Sequence, residues 1–89
     1  MIVHFSKIAD KQLKNWLKSD RAVAKRIYDL IADIKRNGML EGKGKPEQLK
    51  HHKDPICFSR RITKSDRLVY SPLENNILLI ISCKGHYAD

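Results

Sequence analysis

Asp20-Arg-Ala-Val-Ala-Lys-Arg-Ile-Tyr-Asp-Leu-Ile-Ala-Asp-Ile-Lys-Arg-Asn-Gly38 is the stretch that decides the fold class. Val23, Ile27, Leu30, Ile31 and Ile34 recur in steps of four, three, one and three, so they line one face of an α-helix. Asp20 can cap the first turn by accepting backbone N–H bonds, Lys35 and Arg36 offset the negative end of the helix dipole, and Gly38 can supply a left-handed stop. A helix apolar on one side needs an apolar surface to lie on, and the rest of the chain supplies it as strands.

Upstream, Ile2-Val-His-Phe5 suits an opening strand, and Ser6 can cap a first helix whose Ile8, Leu13, Trp16 and Leu17 recur at near-helical spacing. Downstream, Gly42, Gly44 and Pro46 make a loop, Glu47 stands where that loop ends, and Leu49 begins a short strand. Ile56, Phe58, Arg60 and Ile62 then alternate with Cys57, Ser59, Arg61 and Thr63, the period of a half-buried strand, with Arg60 the one intruder in its apolar set. Thr63-Lys-Ser-Asp66 reads as a hairpin into Arg67-Leu-Val-Tyr-Ser71, and Glu74-Asn-Asn76 as a turn into Ile77-Leu-Leu-Ile-Ile81, which has the composition of a central strand. The order β-α-α-β-β-β-β predicts one α+β domain over residues 1–89. Its two N-terminal helices pack on one face of a mostly antiparallel sheet, and the opposite face stays open. No internal repeat, low-complexity segment or linker interrupts it.

The 89 residues carry a net charge of +8. From Lys43 to Arg67 there are eight Lys/Arg against Glu47, Asp54 and Asp66, so five of those eight net charges sit in one segment. Such a concentration points to a polyanion, and nucleic acid fits it best. No run of about 18 apolar residues is present for a membrane span, and Met1-Ile-Val-His-Phe5 lacks the layout of a signal peptide, so a cytosolic protein is expected. Cys57 and Cys83 have no CxxC spacing and read as strand thiols. His4, His51, His52 and His86 match no zinc motif, and adjacent residues such as His51 and His52 point to opposite faces of a strand, so no metal site is expected.

Glu41-Gly-Lys-Gly-Lys-Pro-Glu47 with Leu49-Lys-His51, then Ser59-Arg-Arg-Ile-Thr63, Arg67-Leu-Val-Tyr70 and His86-Tyr87, together resemble the YoeB branch of the RelE-like bacterial toxins over nearly the whole length. The Gly/Lys loop does not satisfy the phosphate-cradling GxxxxGK[ST] spacing. The chain departs from the family pattern at Lys84-Gly85, where relatives usually carry an arginine and an aromatic. It departs also in the longer turn holding His52-Lys-Asp-Pro55, in Cys57, and in the extension Ala88-Asp89.

The resemblance implies a RelE-like microbial RNase-type fold and the toxin of a type II toxin-antitoxin system, an endoribonuclease that cuts mRNA in the decoding site of the 30S ribosomal subunit. It implies a YefM-type antitoxin partner, contact with rRNA, operator DNA bound together with the antitoxin, and self-association. It also implies metal-independent acid–base chemistry, with no cofactor, that leaves a 2′,3′-cyclic phosphate. Glu47 becomes the base for the 2′-hydroxyl, where the spacing alone favours a loop glutamate merely paired with lysine. His86 becomes the general acid, since an imidazole carries a proton near neutral pH, although packed or surface histidines are commoner. Arg67 becomes the phosphate clamp rather than a solubilising strand-edge charge, and Tyr87 the residue that orients phosphate or stacks on a base rather than packing at the sheet edge. Lys45, Lys50 and Arg61 hold substrate. Arg60 is left between a buried structural role and an antitoxin contact. The rival class is a non-catalytic nucleic-acid- or antitoxin-binding module, which needs the cations but not Glu47.

Overall fold

Ser6 turns the chain out of its first strand by capping with extended backbone, its Oγ accepting the Ala9 N–H at 3.0 Å and donating to the Ile81 carbonyl at 2.8 Å. One hydroxyl therefore starts a helix and fastens it to the sheet. In this computed structural model, residues 1–86 are described. They form β1 (Ile2–Phe5), α1 (Lys7–Ser19), α2 (Arg21–Asn37), β2 (Glu47–Lys53), β3 (Ile56–Arg61), β4 (Arg67–Leu73) and β5 (Ile77–Ser82). Asp20 caps α2 through its side chain, which accepts the Val23 N–H at 3.3 Å, while its own N–H still reaches Trp16 O of α1. Gly38, at φ 92°, closes α2 by donating to Ile34 O.

The strands lie in the order β1-β5-β4-β3-β2, with β1 parallel to β5 and every other pair antiparallel. Parallel neighbours cannot be joined by a tight hairpin. The two helices and the three strands that follow them make the long connection. The β4–β5 turn places Asn75 and Asn76 at φ 63° and 60°, the left-handed pair that matches the twist of two joined strands. As the composition of Ile77–Ile81 predicted, β5 is interior to the sheet.

The α2 face named above is buried against the sheet: Ile27, Leu30, Ile31 and Ile34 join Phe58, Ile62, Leu68, Tyr70, Leu78, Ile80 and Cys83 in one core. α1 differs from its predicted face. Ile8 is 64% and Leu17 38% exposed, while Ala9, Leu13 and Trp16 face inward. The small Ala9 marks the line of close approach, which a count of large apolar residues overlooks. β2 begins at Glu47 rather than Leu49, because Glu47 already pairs with Ser59. The face away from the helices is also less open than expected: Leu49, Cys57 and Val69, with Ile81 against them, make a second small cluster. Within β3, Phe58 and Arg60 are buried on the helix side and Cys57 and Ser59 on the other, Cys57 in this second cluster.

Arg60 resolves into the structural alternative. Its side chain is 0% exposed, its Nη1 pairs with Asp33 Oδ2 of α2 at 2.5 Å, and its Nε donates to the Tyr70 hydroxyl at 3.0 Å. No buried side-chain nitrogen or oxygen among the described residues lacks a partner. The Lys43 amide and the Arg60 guanidinium, both bonded to Asp33, hold its carboxyl below the ordinary value of 3.8. A depressed folded-state value means that the unfolded chain takes up the proton first as pH falls. The contribution is therefore complete above about pH 4 and is lost progressively below it. Thermal unfolding followed by circular dichroism should show the melting temperature dropping on acidification from about pH 5 to about pH 2.5, with a shallower drop in Asp33→Asn.

Candidate functional site

Directly paired residues of a sheet share a face, and residues two apart along a strand share it too. Glu47 pairs with Ser59, Ser59 with Val69, and Arg61 with Arg67. Val69 belongs to the cluster away from the helices, so Glu47, Ser59, Arg61 and Arg67 all stand on the helix-free face, at one end of the sheet. Two strand spacings across and two residues along put the Glu47 and Arg67 backbones about 12 Å apart, a gap that two side chains and a phosphate can span. Glu47 and Arg61 are exposed and Arg67 half-buried.

The chain end is brought to the same corner by backbone bonds. Cys83 N–H donates to Gln12 Oε1 at 2.7 Å and Cys83 O accepts from Trp16 Nε1 at 2.9 Å, so α1 holds the exit from β5. Gly85 N–H then donates to Asp66 Oδ1 at 2.8 Å, and Gly85 O accepts the Arg67 N–H at 2.9 Å. His86, exposed, is thus the next residue after a direct backbone bond to Arg67. Gly85 has φ 85°, a conformation that side chains disfavour, and Lys84 lies with its ammonium 5.6 Å from the centre of the Trp16 ring. The departure at Lys84-Gly85 therefore has a physical sense: a cation–π contact anchors Lys84 to α1 and a positive φ at Gly85 turns the chain.

Arg67 Nη1 lies on the hairpin carbonyls of Thr63, at 3.0 Å, and Asp66, at 3.2 Å, which fixes one edge of the guanidinium. Lys45, at φ 49°, projects from the loop just before β2 and is exposed. Lys50 is exposed on β2 within the stretch where the β2–β3 register shifts, between Gln48 and Lys53. Tyr87 lies outside the described residues. The structure thus brings Glu47, Arg61 and Arg67 to one end of one face, with the backbone of Gly85, just before His86, bonded to Arg67 at the same corner and Lys45 two residues before Glu47.

Three residues that serve this corner were not legible as such. Gln12 and Trp16 read as helix positions, and Asp66 as a turn residue. Asp66 in fact accepts from Thr63 Oγ1 at 2.7 Å and from Gly85 N–H, so it ties the hairpin to the chain end. The only available signal was the Thr-x-x-Asp spacing of a turn. Among the described residues no three His, Cys, Asp or Glu side chains come together as a metal-binding group, and no helix is long and apolar enough to cross a membrane. Both thiols are kept from ionising: burial, with Asp66 adding to it, pushes Cys83 up to about 11, and burial raises Cys57.

Residues 5–87 match the model of the YoeB-like toxin of bacterial type II toxin-antitoxin systems. The chain belongs to the YoeB-like toxin family. It is 46% identical over 72 residues to Toxin YoeB of Escherichia coli strain K12, covering 81% of this chain and 82% of that one. It is also similar to the YoeB dimer from Staphylococcus aureus, with a TM-score of 0.88, 41% identity and 98% of both chains covered. The toxin in the heterotetrameric YoeB-YefM complex from that organism matches at a TM-score of 0.85, again with 41% identity and 98% of both chains. The RelE-like arrangement of helices and strands expected from the sequence is the one this YoeB-like chain adopts.

Removing the Asp66 carboxylate deletes two hydrogen bonds at about 1 kcal/mol each. Asp66→Ala should therefore lower the melting temperature by roughly 5–15 °C. Amide exchange at Gly85 should accelerate while that in the middle of α2 changes little, which NMR exchange measurements would show.

Proposed function

We propose that this YoeB-like toxin is a ribosome-dependent mRNA endoribonuclease that cleaves the codon exposed in the 30S decoding site and so stops translation. The observation that carries the reading is the gathering of Glu47 and Arg67 on one face, with the Gly85-His86 segment bonded to the Arg67 backbone at the same corner, among the exposed cations Arg61 and Lys45. Family membership supports it.

Internal transfer needs a base on the 2′-hydroxyl, cations around the phosphorane, and an acid on the leaving 5′-oxygen. Glu47 takes the 2′-hydroxyl proton as O2′ attacks phosphorus. Arg67 and Arg61, with Lys45 and Lys50, balance the charge that grows on the phosphate oxygens, and His86 gives its proton to O5′ as the P–O5′ bond breaks. Tyr87 orients the phosphate or stacks on a flanking base. The products are a 2′,3′-cyclic phosphate and a 5′-hydroxyl. Glu47 is solvent-exposed in the free protein, so it falls to the ribosome-bound substrate to exclude water from it.

The chain acts in the cytosol and is neutralised by a YefM-type antitoxin, whose acidic segment suits a basic face, and the pair binds its own operator DNA. Homodimerisation is part of the same proposal, since Staphylococcus aureus YoeB is found as a dimer and in YoeB-YefM complexes.

Primer extension on a defined mRNA, with and without programmed ribosomes, tests the reading. Cuts should fall only at the ribosome-bound codon. Glu47→Ala, Arg67→Ala and His86→Ala should each slow them by at least about 100-fold, whereas Lys64→Ala should stay within about threefold of the unaltered protein. Absence of cuts in every lane, with folded protein, would leave a non-catalytic binding module instead.

A further inference from the structure

The Glu41-Gly-Lys-Gly-Lys45 segment has the composition of a flexible loop, and it has no regular secondary structure between α2 and β2. Its backbone is nonetheless pinned almost residue by residue. Arg60 Nη2 donates to Gly38 O at 2.7 Å and to Glu41 O at 2.6 Å, and Arg60 Nη1 donates to Lys43 O at 3.0 Å. The Tyr70 hydroxyl, which accepts from Arg60 Nε, donates to Met39 O at 2.6 Å. Asp33 Oδ2, paired with Arg60, accepts the Lys43 N–H at 2.9 Å. Arg61 N–H donates to Gly44 O at 2.7 Å. The carbonyls of residues 38, 39, 41, 43 and 44 are thus all held by β3 and β4.

The glycines fit this contact closely. A Cβ on Gly42 would overlap the Asp33 carboxylate, and one on Gly44 would stand 3.0 Å from Leu30 Cδ2 and 3.2 Å from Arg60 Cβ. Their φ values of 108° and 83° also require glycine. The loop is therefore moulded onto the buried guanidinium. A guanidinium has five N–H groups in a rigid plane, and all five are used here: one on Tyr70, two on Asp33 and Lys43 O, two on Gly38 O and Glu41 O.

We propose that Arg60, with Asp33 and Tyr70, is a positioning residue that moulds residues 38–44 and thereby fixes Lys45 and Glu47 against Arg61 and Arg67. The chain leaves the mould at Gly44, whose carbonyl is bonded to the Arg61 backbone, and three residues later Glu47 pairs with Ser59, on the other side of Arg60. β3 thus points its site residues Ser59 and Arg61 to the helix-free face and, between them, its mould to the core. This inference rests on the ribonuclease reading for its effect on cleavage, but its effect on the loop is independent of that reading.

The test compares the unaltered chain with Tyr70→Phe, which removes the hydroxyl and keeps the core ring, with Arg60→Lys, which keeps the charge and loses the fork, and with Glu47→Ala. Melting temperature, amide exchange of residues 39–45 and single-turnover cleavage on programmed ribosomes are measured for each. In folded Tyr70→Phe, loop exchange should rise at least about tenfold with helix exchange unchanged. Its cleavage rate at saturating ribosomes should fall by roughly 10-fold or more, with half-saturation within about twofold, because a displaced carboxylate slows the chemical step rather than ribosome binding. Arg60→Lys should not restore the rate. Where that variant fails to fold, Tyr70→Phe alone decides. Loop exchange and cleavage both unchanged in folded Tyr70→Phe would overturn the proposal. Loop exchange raised at an undiminished cleavage rate would overturn the link to Glu47. If the unaltered chain cuts nothing, the ribonuclease reading and the link to cleavage both fail, and the exchange data still decide whether the mould exists.

Discussion

A guanidinium that leaves water must place each of its five N–H groups on an acceptor, because an unpaired buried charge costs several kcal/mol. Arg60 meets that demand with partners from three separate parts of the chain: Asp33 on α2, the carbonyls of the loop after Gly38, and Tyr70 on β4. None of these can move without stranding a donor. The helix layer, the irregular loop and the middle of the sheet are thereby referred to one fixed point. Hydrophobic burial supplies most of the favourable free energy of such a domain, but it is non-directional and would tolerate sliding of α2 over the sheet. The fork of Arg60 is directional and sets where the loop stands.

The two faces of β3 then divide the labour. Inward, Phe58, Arg60 and Ile62 meet the helices, and outward, Ser59 and Arg61 meet Glu47 and Arg67 across the ladders. A strand gives this alternation at no extra cost in chain length, since successive side chains point to opposite sides. The candidate site is consequently built on a rigid element, while Glu47 at the start of β2 and Gly85 before His86 are tied to β3 and β4 by backbone bonds.

Much of this was legible from the residues. The apolar steps from Val23 to Ile34, the caps Ser6 and Asp20, the stop at Gly38 and the Asn75-Asn76 turn are local effects of hydrogen-bonding geometry and of the 3.6-residue period, and each predicted its element. Resemblance to the YoeB branch named Glu47, Arg67 and His86 before any geometry was available. The face of α1 was misjudged because Ile8 and Leu17 outweigh Ala9 in hydrophobicity, although the packed face is set by how closely the helix can approach. Arg60 stayed ambiguous because nothing local distinguishes a buried arginine from an exposed one, and its partners lie 10 to 27 residues away.

The sequence by itself determined the element order, the α+β class, the concentration of positive charge and the family, since all of these follow from nearest-neighbour pattern and composition. Tertiary structure alone decided that the Gly-Lys-Gly-Lys loop is held rather than loose, that Gln12 and Trp16 hold Cys83 and Asp66 holds Gly85, and that Glu47 and Arg67 share a corner with the Gly85-His86 segment. Those facts depend on which carbonyl meets which donor across long stretches of chain. Only packing, through the register of β2 on β3 and the burial of one guanidinium, fixes such meetings.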